Sequence, residues 1–313
     1  MLIYVIAIVA VAGGLFVGLR GCTFMPWNGK AAGNGMVSIS ITKDYGRGLM
    51  KSGQVKPGAG DSDLDLLQKV ARVQTEYGGG FVSAIDGLSS TSGQTGRKDW
   101  FYYVNGVLSG EGSGQFTARP GDAVWWDFHD WNSGDFVASV VGSYPQPFTR
   151  GYSAEPQKST LVYGAGMESL AREVGGYLTG RGASVAYSAG EKTFKAGRGG
   201  PSIVFLSLKE ASGTPWVTDM LGKKGKAFVV IDNGKLVALD ASGAPSALGT
   251  PVRAVIVSKG SGMGDSSPVW LVICDGVSGV SGARGALVTD PGSLGLKVGA
   301  AVGSDGKIYA LPR

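Results

Sequence analysis

Two stretches constrain the fold of this 313-residue chain more than any others: Asp99–Gly106 (DWFYYVNG) and Ala123–Trp131 (AVWWDFHDW). Each reads as a β-strand, and each carries large rings at consecutive positions. Side chains alternate across a strand. Trp100, Tyr102 and Val104 therefore share one face, while Phe101, Tyr103 and Asn105 share the other. Trp125 and Trp126 are forced apart in the same way. Each ring buries about 150–250 Å² when packed, so one set has to lie in a core. Rings on the opposite face need a second cover, either a bound ligand or another part of the chain. The expectation is an exposed set of Trp125 or Trp126, Tyr102 or Tyr103, and Trp131, facing a cleft or the second half of the chain.

The neighbouring sequence places these strands in a small mixed sheet. MVSISIT (36–42) alternates and is β-rich. DSDLDLLQKVARVQTEYGGG reads as one helix, started by Asp61, Ser62 and Asp63 and ended by Gly78–Gly80. FVSAIDGL reads as a further strand, and a Pro-Gly-Asp turn introduces Ala123–Phe128. One helix lying across a few strands fits an α+β domain of the β-grasp kind.

The motifs LDLLQKVARV, GGGFVSAIDGL, DWFYYVNG and ARPGDAVWWDFHDW carry a likeness to a known group. Residues 36–131 resemble the small extracytoplasmic domain family of unassigned function that is grouped with the C-terminal β domain of transcobalamin and intrinsic factor. The resemblance implies a β-grasp-like fold and a place outside the cell. It does not by itself imply a cobalamin ligand, because fold is not function.

The remainder reads as four segments. Residues 1–22 open with an uncharged apolar run from Leu2 to Leu19, close to the roughly 20 residues that cross a bilayer as a helix. They are read as a signal peptide or membrane anchor. LRGC ends that segment like a lipobox, which makes Cys22 a lipidation candidate, although Arg20 stands where a small residue is expected and no basic residue precedes the run. Residues 23–35 read as a spacer, 36–150 as the β-grasp-like domain and 151–159 as a linker. Residues 160–313 read as an α/β domain of unknown role, from TLVYGAGMESLAREVGGYLTGRGASVAYS and several near-continuous apolar runs such as VWLVICD.

Charge and residue counts exclude several functions. Residues 21–150 carry 11 Lys/Arg against 12 Asp/Glu and residues 151–313 carry 17 against 12, with no tight basic run, so nucleic acid is not an expected partner. Two cysteines without a C-x-x-C pair and a single histidine leave no zinc or dithiol pattern. Gly164-x-Gly166 follows a strand, but Ser169 stands where a dinucleotide fingerprint needs its third glycine. His129 reads as an exposed polar residue. The sharper alternative makes it a cobalt contact oriented by Asp127 or Asp130. No catalytic constellation emerges, and no cofactor is required beyond a possible bound cobalamin.

These features lead to the expectation of a non-enzymatic, membrane-anchored binding protein on the outer surface of the cell. It would capture a cobalamin-like corrinoid or another bulky small-molecule nutrient for a membrane transporter. Trp100, Tyr102, Tyr103, Asn105, Trp125, Trp126 and Trp131 would form the contact surface. The alternative is a surface adhesion or scaffold protein that binds wall glycans or a protein through the same rings.

Overall fold

The computed structural model describes residues 35–93, 96–131, 136–152, 158–190, 199–221 and 227–313. The apolar run, Cys22 and most of the spacer lie outside the described residues. The architecture is mixed α/β, with several sheets and few helices. Among the described residues no helix is long and apolar enough to cross a membrane.

The first unit contains β1 (Val37–Lys43), β2 (Gly48–Val55), α1 (Asp63–Gln68), β3 (Val73–Glu76), β4 (Phe81–Ile85), β5 (Leu88–Ser89), β6 (Thr91–Gly93), β7 (Gly96–Val104), β8 (Val107–Leu108) and β9 (Ala123–Asp130). Its six-stranded sheet has the order β2-β1-β9-β7-β6, with β8 beside β7. At its centre β1 runs parallel to β9, and β7 runs antiparallel to β9. A separate sheet, β3-β4-β5, sits with α1. Asp86-Gly87 and Asn105-Gly106 close two-residue hairpins with positive φ at both positions, as a type I′ turn requires.

The helix expected to run from residue 61 to Gly78 is much shorter. It stops at Gln68, and Val73–Glu76 pairs with β4 instead. A Ser62/Asp65 capping box starts α1. Beyond Gln68 the β-branched Val70, Val73 and Thr75 lose side-chain freedom in a helix and suit a strand.

The second unit starts with α2 (Gln146–Thr149) and β10 (Ser159–Tyr163), followed by α3 (Glu168–Thr179), β11 (Val185–Ala189), β12 (Ser202–Ser207), α4 (Leu208–Ser212) and α5 (Pro215–Leu221). The hairpin β13 (Val229–Asp232) and β14 (Lys235–Ala238) follows. Next come β15 (Val252–Lys259), β16 (Val269–Cys274), α6 (Gly276–Arg284), β17 (Gly299–Gly303) and β18 (Ile308–Leu311). Seven strands form one sheet in the order β11-β10-β12-β16-β15-β17-β18. The first four are parallel, and the rest join antiparallel.

The two large sheets are each covered on both faces. Trp100, Tyr102, Val104, Trp126 and Phe128 pack with Leu66 and Leu67 of α1 and with Ile39 and Ile41. On the opposite face Tyr103 and Trp125 join Tyr45, Val257, Val298 and Phe228 in a core that continues into the second unit. The other face of the seven-stranded sheet is closed by Leu170 and Val174 of α3 and by Ala283 of α6, with Trp270, Tyr144 and Phe148.

The seam between the units is close. A Cβ at Gly46 would fall 2.0 Å from the Leu296 carbonyl oxygen, and φ there is +85°. A Cβ at Gly142 would fall 2.7 Å from Lys297 N and 2.9 Å from the Trp125 ring. Only glycines let these backbones approach the indole. The seam also carries the Val141 N–H donating to Val298 O at 3.1 Å and the hydroxyls of Ser139 and Ser258 at 2.5 Å.

Candidate functional site

The structure overturns the expected exposure of the aromatic set. Trp125 and Trp126 are each 2% exposed, and Trp100, Tyr102 and Tyr103 are also buried. The reason is the double cover just described: α1 and its hairpins close one face, and the second unit closes the other. Tyr102 additionally anchors the loop after β8. Its hydroxyl takes a hydrogen bond from Ser109 Oγ at 2.6 Å and donates to the Glu111 carbonyl, while Tyr152 OH meets Ser109 Oγ at 3.0 Å.

Asn105, expected to orient a ligand, is fully buried and structural. Its amide nitrogen donates to Asp122 Oδ1 at 2.9 Å and Gly151 O at 2.8 Å, and its amide oxygen accepts from Ala123 N at 2.9 Å. Its side chain thus ties the β7–β8 turn to the start of β9.

His129 is buried rather than exposed. Asp127 holds it, with Nδ1 and Oδ2 2.8 Å apart. The same carboxylate accepts from Tyr45 N and Gly46 N at 2.9 Å each and from the Thr42 hydroxyl. The imidazole stacks between Tyr45, at 4.6 Å and 26°, and Phe101, at 4.4 Å and 20°. Both faces of the ring are covered by these neighbours, so it offers no open face to a flat ligand.

His129 is one member of a file of rings. From Phe228 in the second unit the file runs through Tyr45, His129, Phe101 and Phe136 to Trp131, with centroid separations of 5.5, 4.6, 4.4, 5.8 and 5.9 Å. Its outer end reaches solvent. Phe136 is 40% exposed and Trp131 half-buried, and the two stack at 19°. The Arg97 guanidinium stands 5.5 Å from the Trp131 ring. Of the residues expected to bind a ligand, Trp131 is the one the fold leaves at the surface, and Phe136 and Arg97 join it. Their grouping was hidden in the sequence because Arg97 and Trp131 meet only through β7–β9 pairing, where Trp131 N donates to Arg97 O at 3.0 Å. This patch is the candidate site.

Residues 60–130 match DUF4430, a domain of unknown function. The DUF4430 segment spans α1 through β9 and ends one residue before Trp131. No curated protein matches the chain.

Other regions resolve more simply. At the Gly164–Gly166 loop, Glu210 reaches across to accept from Ala165 N at 2.7 Å, Ser207 N at 3.1 Å and Ser207 Oγ at 2.8 Å. Partial burial raises the Glu210 pKa, but these bonds outweigh it and hold the carboxyl below its ordinary value. A carboxylate of the protein thus fills the place where a phosphate would meet the loop. Burial pushes the Cys274 thiol up to about 12, which leaves it unreactive.

A groove of about 440 Å³ lies between α6 and the β17–β18 turn, bordered by Ser278, Ser281, Thr289 and Ser304. Its small residues answer to packing: a Cβ at Gly282 would meet Val302 at 2.4 Å, and one at Gly303 would meet Thr250 Cγ2 at 2.6 Å. Among the described residues no cluster of three or more metal-ligating side chains occurs.

Proposed function

We propose that this protein is a membrane-anchored, non-enzymatic binding protein working outside the cytoplasmic membrane, and that it captures a bulky flat nutrient of the cobalamin-like corrinoid class for a membrane transporter. In this reading its first unit is a β-grasp-like domain akin to the transcobalamin β domain, and Leu2–Leu19 is the anchor, with Cys22 as its lipidation point. The stacked Trp131–Phe136 pair with Arg97 beside it carries the proposal. An exposed ring pair suits the face of a planar ligand, and a guanidinium suits an acidic or amide edge. The ring file behind the pair holds the platform rigid, which lowers the entropic cost of binding. The corrinoid would contact His129 only through the rings stacked on it.

The test is calorimetric titration of the full chain in detergent with a cobalamin, with heme and with a soluble wall glycan. The expected result is corrinoid binding that Trp131→Ala or Phe136→Ala weakens by about 1–3 kcal/mol, the scale of burying one large side chain, with melting temperature held. Glycan binding with no corrinoid binding would instead select the adhesion reading. Binding that both substitutions leave unchanged would remove the patch from either account.

A further inference from the structure

One acid has no partner within the first core. Asp63, in the first turn of α1, is fully buried, and neither carboxyl oxygen makes a hydrogen bond among the described residues. The indole N–H of Trp126 acts on it but completes no hydrogen bond, and that nitrogen is itself unsatisfied. An ionised carboxylate cannot be held in such surroundings without large cost. The side chain sits where α1 is tied down: Asp63 N donates to Phe116 O at 2.8 Å, and Leu64 N donates to Ser113 O at 2.9 Å.

We propose that Asp63 is a proton-held latch: as a neutral acid it keeps α1 and the 109–116 loop seated on the sheet, and its ionisation releases them together. The groups facing it favour the neutral form. From the turn before β9, Asp122 adds negative charge, although that acid is itself occupied by Asn105, Arg119 and Arg150. From β7, the Tyr102 hydroxyl faces it, with Glu111 and Tyr152 beyond. On its own helix Asp65 is committed to the Ser62 cap, while Asp61 pairs outward with Lys69. None of these supplies a cation to Asp63. Burial, the leading cause, then pushes its pKa up to about 8, with Asp122 adding to the rise against the Trp126 indole. The latch stands whether or not the Trp131 patch binds a ligand.

Hydrogen exchange of the full chain between pH 5 and 9, corrected for the intrinsic rate, tests it. In the opened state the acid ionises near its ordinary value, so between about pH 5 and pH 8 each opening releases one proton. The opening population of segments 61–70 and 109–117 is expected to rise about tenfold per pH unit up to about pH 8 and then level off. Asp63→Asn, which copies the neutral acid, should make both profiles flat. Identical profiles in wild type and Asp63→Asn would overturn the proposal. If the variant does not fold, carboxyl-carbon NMR of the wild type decides: titration near pH 8 supports the latch, and titration with the ordinary carboxylates defeats it.

Discussion

The two faces of the first sheet carry rings in similar number and hold a buried acid in opposite ways. The face under α1 buries Asp63 with no hydrogen-bond partner for its carboxyl. The face on the seam carries Ser38, Ser40, Thr42, Asp127 and His129 among its rings. There Asp127 is saturated by Thr42, Tyr45, Gly46 and His129, and the Trp125 indole N–H donates to Thr42 Oγ1 at 2.6 Å. Burial alone does not decide what an acid does in a fold. A saturated carboxylate ties the β1–β2 turn to β9, whereas an unpaired one ties stability to pH.

Substitutions that separate the two faces should differ in kind. The largest effect is expected at the rings themselves. Trp125→Ala and Trp126→Ala should each cost about 3–5 kcal/mol, measured by chemical denaturation. They should part company in what they loosen: exchange should rise across the seam at Gly142 and Val298 in the first, and around α1 in the second.

Next comes Asp127→Ala, which strands several buried donors and should cost about 2–4 kcal/mol. It should also free the His129 ring, visible as a change in its imidazole NMR signals. Unchanged signals would mean that the stacking of Tyr45 and Phe101, rather than Asp127, fixes the ring.

Asp63→Asn has the opposite sign and a pH dependence. Because the folded pKa stands above the unfolded value, the contribution of Asp63 is whole below about pH 4 and is lost as pH climbs to about 8. The loss is at most about 1.4 kcal/mol per pH unit. The variant should therefore match or trail wild type at pH 4 and exceed it in melting temperature at pH 8. Tyr77→Ala, at an 87% exposed hairpin tip, should change stability least, by about 0.5 kcal/mol or less.

Much of the strand plan was legible. Alternation along Trp100–Val104 separated the two ring sets correctly, but Asp86-Gly87 and Asn105-Gly106, read as strand ends, close hairpins. The need for a second cover was legible but its identity was not, because nothing local says that Trp125 will share a core with Leu296 and Phe228 from a distant part of the chain. A buried ring on a sheet face and a ring waiting for a ligand look identical in sequence. The helix was overextended for a related reason: LDLLQKVARV keeps helical spacing past Gln68, and the pairing of Val73–Glu76 with β4 is a tertiary fact. Asp63 was visible only as a helix-start acid. Its burial follows from the loop carbonyls of Ser113 and Phe116, which draw the first turn of α1 into the core.

The central claim is that the seam makes the two units one cooperative body, with Trp125 at its centre. Scanning calorimetry of the full chain tests this most directly. The account predicts a single transition whose calorimetric and van't Hoff enthalpies agree, shifted as a whole by Trp125→Ala. Two resolved transitions in the wild type, with only one of them moved by that substitution, would contradict it.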